Sequence, residues 1–183
     1  MTSRIVVLAW GNPSRGDDAL GPEFLTRAER RARRAGRRVE FVTDFQLQPE
    51  HGLDLVGRDL ALFVDASATV PPPFRFTEVA PGRDRTFTTH AMSPGALLAA
   101  CAAAFLSPLP EGFLLAIRGD RFELGEGLSV AARHHLERAL AHFDALLHVP
   151  TTAGWLAEAR NPAPRAARPT VRKAHPGGPR VPR

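Results

Sequence analysis

The sequence predicts an α/β protein, a three-layer α/β/α sandwich with a mostly parallel sheet of about five strands. Apolar runs of strand length alternate with helical patterns up to residue 148. Acidic residues follow the first three of these runs, and open α/β sheets bind ligands beyond the carboxyl ends of their strands. The predicted strands span residues 5–9, 39–43, 60–64, 74–79 and 112–117.

In the first half of the chain, turn residues mark the boundaries of the predicted elements. The buried strand over 5–9 runs into a turn rich in Gly, Asn, Pro and Ser, and an Arg-rich helix is predicted over 22–35. A short helical segment ending near Gly57 separates the second and third strands. The fourth segment, 74–79, alternates in polarity after three prolines, which predicts an antiparallel strand at the edge of the sheet.

The second half begins with a helix, since Ser93 can cap its first turn and Pro94 suits its first position. Cys101 falls on the apolar side of that helix, so we interpret it as a core residue and not as a nucleophile. After the strand over 112–117, the pattern predicts a last helix over 130–147.

We expect one domain over residues 1–150 and a mostly disordered tail over 151–183, because the tail is rich in Pro, Arg and Ala. Of the net charge of +5, the tail carries +6 and residues 1–150 carry −1. Without a basic face on the folded part, nucleic-acid binding is not expected. A single cysteine and no apolar run of the ~20 residues that span a bilayer predict a cytoplasmic protein away from membranes, and we expect it to be a monomer.

Five polar residues are the candidates for a site. Three parallel strands would bring their carboxyl ends to one edge of the sheet, and a histidine before the next helix can reach it. Two carboxylates and an imidazole with open positions suit a divalent first-row metal. The candidates are Asp17, Asp18, Asp44, Asp65 and His90.

A receiver domain has a similar pattern of acids after its first and third strands. It also needs a lysine near the end of its last strand to neutralise a phosphoryl group. The only lysine here is Lys173, in the tail, and the last strand runs into Arg118. The receiver interpretation therefore fails.

Four segments in family order resemble the maturation endopeptidases of nickel–iron hydrogenases. They extend over about residues 4–148. The segments are Gly11-Asn12-Pro13-x-x-Gly16-Asp17-Asp18-x-x-Gly21-Pro22, Phe63-Val64-Asp65-Ala66, Thr88-Thr89-His90 before a helix with Leu97-Leu98, and Phe122-Glu123-x-Gly125-x-x-Leu128-Ser129.

The resemblance implies a five-stranded α/β/α fold and removal of a C-terminal extension from a hydrogenase large-subunit precursor once its metal centre is assembled. It also implies that Asp18, Asp65 and His90 contact nickel carried by the substrate, for which other divalent metals can substitute. The segment after Asp44 departs from the family, which has a Gly-rich turn there.

The sequence does not decide which residue is the general base, or whether the protein cleaves the precursor or only binds it. With no candidate Ser or Cys nucleophile, hydrolysis would use metal-assisted water, with Asp17 or Asp44 as the general base. Asp17 could instead hold its loop in place. The alternative function is a nickel-binding checkpoint or chaperone that binds the same precursor without cutting it.

Overall fold

The structure, a computed structural model, describes residues 4–82, 92–104 and 108–161. The strands are β1 (Ile5–Trp10), β2 (Val39–Asp44), β3 (Leu60–Ser67), β4 (Phe74–Val79) and β5 (Glu111–Arg118). The helices are α1 (Leu20–Arg34), α2 (Gly52–Leu55), α3 (Pro94–Ala104), α4 (Val130–His148) and α5 (Thr152–Arg160), and short 3-10 helices cover Gly16–Ala19 and Pro49–His51. Within the described ranges, no helix is both long enough and apolar enough to cross a membrane.

The strands form one sheet in the order β2-β1-β3-β5-β4. The first four in that order are parallel, and β4 pairs with β5 in the antiparallel direction at the edge. The predicted fold class and the antiparallel edge strand are confirmed. The carboxyl ends of β1, β2, β3 and β5 meet at one edge, which we call the carboxyl edge.

Alternate residues of β1 face two separate cores, as expected for a strand buried on both sides. Val7 packs with α1 and α4 on one face, whereas Val6 packs with α2 and α3 on the other. The α1 helix begins two residues earlier than predicted, at Leu20, and the α4 helix is capped by the Ser129 hydroxyl, which accepts a hydrogen bond from the Ala132 N–H at 3.1 Å. Both faces of the sheet are therefore covered by helices.

The α5 helix extends the folded part past the predicted boundary at residue 150. Its Trp155 is fully buried, packs against Phe76 and Phe113, and donates a hydrogen bond to the Leu146 carbonyl at 3.1 Å. The sequence analysis did not predict this helix, because the segment over 151–183 is rich in Pro, Arg and Ala. Only one aromatic residue, Trp155, anchors the helix in the core. Residues 162–183 lie outside the described residues, and the disorder expected of them stays a prediction.

Two truncations distinguish the contribution of α5 to stability from that of the tail that follows it. Removal of residues 151–183 takes Trp155 out of the core and should destabilise the protein by about 3–5 kcal/mol, the usual cost of losing a buried tryptophan. Removal of 162–183 alone should shift the thermal midpoint by less than ~2 °C. Thermal unfolding followed by circular dichroism measures both, and equal midpoints for the two truncations would contradict the anchoring role.

Candidate active site

The turn after β1 folds back over the end of its own strand, and glycines allow the close approach. Gly11 has a φ of +139°, and a Cβ placed on it would lie 2.0 Å from the Asp18 carbonyl oxygen. A Cβ on Gly21 would lie 2.1 Å from the Trp10 carbonyl oxygen. Neither contact is possible for a real side chain, so this glycine spacing holds the acidic residues against the carboxyl edge.

Asp18 is partly buried at the carboxyl edge and belongs to the 3-10 helix Gly16–Ala19. Its Oδ2 accepts a hydrogen bond from the Asn12 N–H at 2.9 Å. The bond joins the carboxylate to the backbone of the turn after β1. The orientation of Asp18 is therefore set by the same turn that the glycines shape.

Asp65 lies in the last third of β3 and interacts electrostatically with Asp18. Burial raises the pKa of the Asp65 carboxyl to about 7, and the nearby Asp18 charge adds to the rise. Hydrogen bonds from the Ala66 N–H and the Trp10 side chain lower this pKa and so oppose the rise. Two crowded carboxylates of this kind are stabilised by a cation, and carboxylate oxygens suit a divalent one.

Asp17 is fully buried, unlike its neighbour Asp18. Burial acts to raise the pKa of its carboxyl, but hydrogen bonds from Ser129, Asp120 and Arg121 hold that pKa below its usual value. The donors are the Ser129 N–H (2.7 Å) and hydroxyl (3.0 Å), the Asp120 N–H (2.8 Å) and the Arg121 N–H (3.0 Å). These contacts favour the anchoring role for Asp17 over the role of general base.

Asp44 ends β2 beside the turn after β1. It pairs with Trp10 in the parallel register, and its carbonyl accepts a hydrogen bond from the Gly11 N–H at 3.3 Å. Its Oδ1 accepts a hydrogen bond from the Phe45 N–H at 2.6 Å, and the side chain is 42% exposed. An ionisable oxygen acceptor that water can reach fits the predicted role of Asp44 as a general base, which stays a prediction.

His51 lies next to Asp44 and was missed by the sequence analysis. Its Nε2 is 3.5 Å from Asp44 Oδ2, and its side chain is only 12% exposed. Its Nδ1 accepts a hydrogen bond from the Gln48 N–H at 2.8 Å. The signal in the sequence was Gln48-Pro49-x-His51, because a proline at the first helical position followed by a polar residue at the third marks a capped helix start.

The predicted metal ligands are placed only in part. Asp18 and Asp65 come together at the carboxyl edge, whereas His90 lies outside the described residues. In the described ranges, no three His, Cys, Asp or Glu side chains form a group that could hold a metal ion. The donor set of two carboxylates fits part of a divalent site, and the third ligand stays a prediction.

Cys101 is buried in the core between the sheet and α3, which confirms the sequence interpretation of it as a core residue. Its Sγ contacts the Gly52 carbonyl at 3.5 Å, and burial raises the pKa of its thiol. A thiol that stays protonated in the core is a poor nucleophile.

The chain resembles known proteins at the level of fold. No protein-family model matches the sequence, and no curated protein matches it significantly. Solved structures do match. The maturation protease HycI of a [NiFe] hydrogenase from Thermococcus kodakarensis KOD1 aligns with a TM-score of 0.62 and 21% identity, over 80% of this chain and 94% of its own.

Two further structures align in the same way. The hydrogenase maturating endopeptidase HybD from E. coli has a TM-score of 0.60 and 21% identity, over 80% of this chain and 93% of its own. A hydrogenase 2 maturation peptidase from Thaumarchaeota archaeon SCGC_AB-539-E09 has a TM-score of 0.54 and 17% identity, over 80% and 97%. The chain thus has the fold of the hydrogenase maturation proteases, as the sequence resemblance implies.

Asp17→Asn tests the anchoring role. The amide keeps the size of the side chain but places an N–H group among four donors, so we expect a loss of about 2–3 kcal/mol in the free energy of unfolding. Urea denaturation measures this loss. Asp18→Asn is the matched control and should cost much less, because its one backbone bond can be kept by the amide oxygen. Equal losses would contradict the assignment.

The raised pKa of Asp65 predicts a pH dependence of stability in metal-free protein. Between about pH 4 and pH 7 the folded protein holds a proton on Asp65 that the unfolded chain has released. The contribution of Asp65 to stability is therefore fully present below pH 4 and is lost as the pH rises through 7. Asp65→Asn removes this dependence, so the variant should gain stability over the parent from pH 5 to pH 8 in urea denaturation with EDTA. A constant difference would contradict the prediction.

Proposed function

We propose that the protein is an endopeptidase that removes the C-terminal extension of a nickel–iron hydrogenase large-subunit precursor after metal insertion, and that it recognises the bound nickel. One observation carries the proposal. The carboxylates of Asp18 and Asp65 interact at the carboxyl edge of a fold that is shared with hydrogenase maturation proteases.

The glycine-rich turn and the anchored loop explain how two like charges are kept together. Asn12 holds Asp18 from one side, and Asp17 joins the turn to the segment before α4. Repulsion between Asp18 and Asp65 therefore cannot be relieved by a large movement of the turn. A cation that arrives with the substrate relieves it, which gives the enzyme a preference for the metal-loaded precursor.

A metal bound there would polarise the scissile carbonyl or lower the pKa of water toward ~7. Asp18 and Asp65 would be two of its ligands, and His90 would be the third. Asp44 is the candidate base that accepts a proton from the attacking water. Asp17 contributes by keeping the turn in place.

The metal ligands are tested by substitution. Asp18→Asn and Asp65→Asn remove an anionic oxygen at nearly constant size, so each should weaken nickel binding by at least about tenfold. Calorimetric titration of nickel, with zinc or cadmium as substitutes, measures the affinity. Asp59→Asn is the matched control, because Asp59 precedes the other end of β3, where it pairs with Arg4. Parent-like nickel affinity in both ligand variants would show that the site is assigned wrongly.

Cleavage is tested with the precursor itself. The parent should shorten a nickel-loaded large-subunit precursor, as seen by mass spectrometry, and should leave the metal-free precursor intact. The Asp18→Asn and Asp65→Asn variants should fail to shorten it, while Asp59→Asn should act like the parent. Nickel-dependent binding of the precursor without shortening would instead identify a checkpoint or chaperone.

A further inference from the structure

The Asp44–His51 pair lies at the carboxyl edge, and His51 belongs to none of the four segments that resemble the family. His51 ends the 3-10 helix Pro49–His51, and the Asp44 side chain is the more exposed member of the pair. The small crevice around the two residues is lined by Trp10, whose side chain also bonds Asp65. Asp44 therefore shares the carboxyl edge with Asp65, and Trp10 of β1 lies between their two strands.

The hydrogen bonds of His51 fix the position of its proton. A backbone N–H can only donate, so the bond from Gln48 N–H requires Nδ1 to be unprotonated. The neutral imidazole then carries its hydrogen on Nε2, the atom that is 3.5 Å from Asp44 Oδ2. This contact is long for a hydrogen bond, as is common for catalytic contacts without substrate, and we expect it to shorten when substrate binds.

Asp44 thus has a defined partner for each oxygen. Phe45 N–H donates to Oδ1 at 2.6 Å, and the Nε2–H of His51 faces Oδ2. Once the His51 contact shortens to a hydrogen bond, the carboxylate is held at both oxygens and keeps one orientation, which a general base needs if it is to meet the attacking water.

We propose that His51 is a positioning residue that aims the Asp44 carboxylate at the attacking water, an inference that rests on the proposed peptidase function. As the water oxygen bonds to the scissile carbonyl carbon, Asp44 takes its proton. When the C–N bond breaks, Asp44 returns that proton to the departing amine, so the carboxylate is regenerated. His51 keeps its own proton throughout.

Two substitutions separate this role from the structural one. His51→Asn can keep the bond from Gln48 N–H, because its amide oxygen occupies the place of Nδ1, but it is too short to reach Asp44. His51→Gln places an amide N–H where Nε2 was and restores the contact. A third variant, Gln48→Ala, removes the other half of the helix cap and leaves the contact with Asp44.

We expect His51→Asn to lower kcat for cleavage of the nickel-loaded precursor about tenfold, part of the ~100- to 10,000-fold that a placed base supplies. KM should stay within about twofold, since substrate binding is untouched. His51→Gln should recover most of the rate. Gln48→Ala should lower the thermal midpoint but leave kcat close to that of the parent. In an Asp44→Asn background, His51→Asn should have no further effect, because the residue it acts through is gone.

The outcomes distinguish this inference from the function on which it rests. A parent that cleaves no loaded precursor would overturn both. A parent that cleaves, with His51→Asn equally fast or with losses that multiply in the double variant, would overturn the role of His51 alone. A loss in His51→Asn that His51→Gln does not restore would also overturn this role, because it would show that the loss does not come from the missing contact with Asp44.

Discussion

The hydrogen bonds of the buried Asp17 carboxylate hold together the two loops on which the carboxyl edge depends. The donors belong to the loop between β5 and α4 and lie more than a hundred residues from Asp17 along the chain. A buried charge without such partners would be very costly, so the two loops order each other. Because Ser129 also caps α4, the same contact fixes where that helix begins.

Two adjacent aspartates thus have opposite surroundings. Asp17 is satisfied by donors and has a lowered pKa, whereas Asp18 lies at the carboxyl edge and adds its charge to the field at Asp65. The hydrogen bonds of Asp17 hold the turn in place, and the fixed turn keeps Asp18 close to Asp65. A turn without the anchor could let Asp18 move away from Asp65 and so would lose the electrostatic strain that favours a cation.

The fold was predictable because its signals are local. The apolar run over 5–9, the polar turn after it and the Ser129 cap each involve neighbouring residues. The sequence left Asp17 open between a general base and a loop anchor, since the choice depends on donors at the far end of the sequence. Trp155 and His51 were missed for the same reason, because their partners Phe113 and Asp44 are distant or separated by a turn.

The two tryptophans of the chain occupy environments that differ in kind, and the chain has no tyrosine. Trp155 is enclosed in the core, whereas Trp10 is only partly buried and its side chain bonds Asp65. Intrinsic fluorescence therefore contains one emitter that reports on unfolding and another that reports on the charge state of the carboxyl edge. With Trp155 replaced by phenylalanine, the remaining emission would make the protein a reporter of cation arrival without any attached dye.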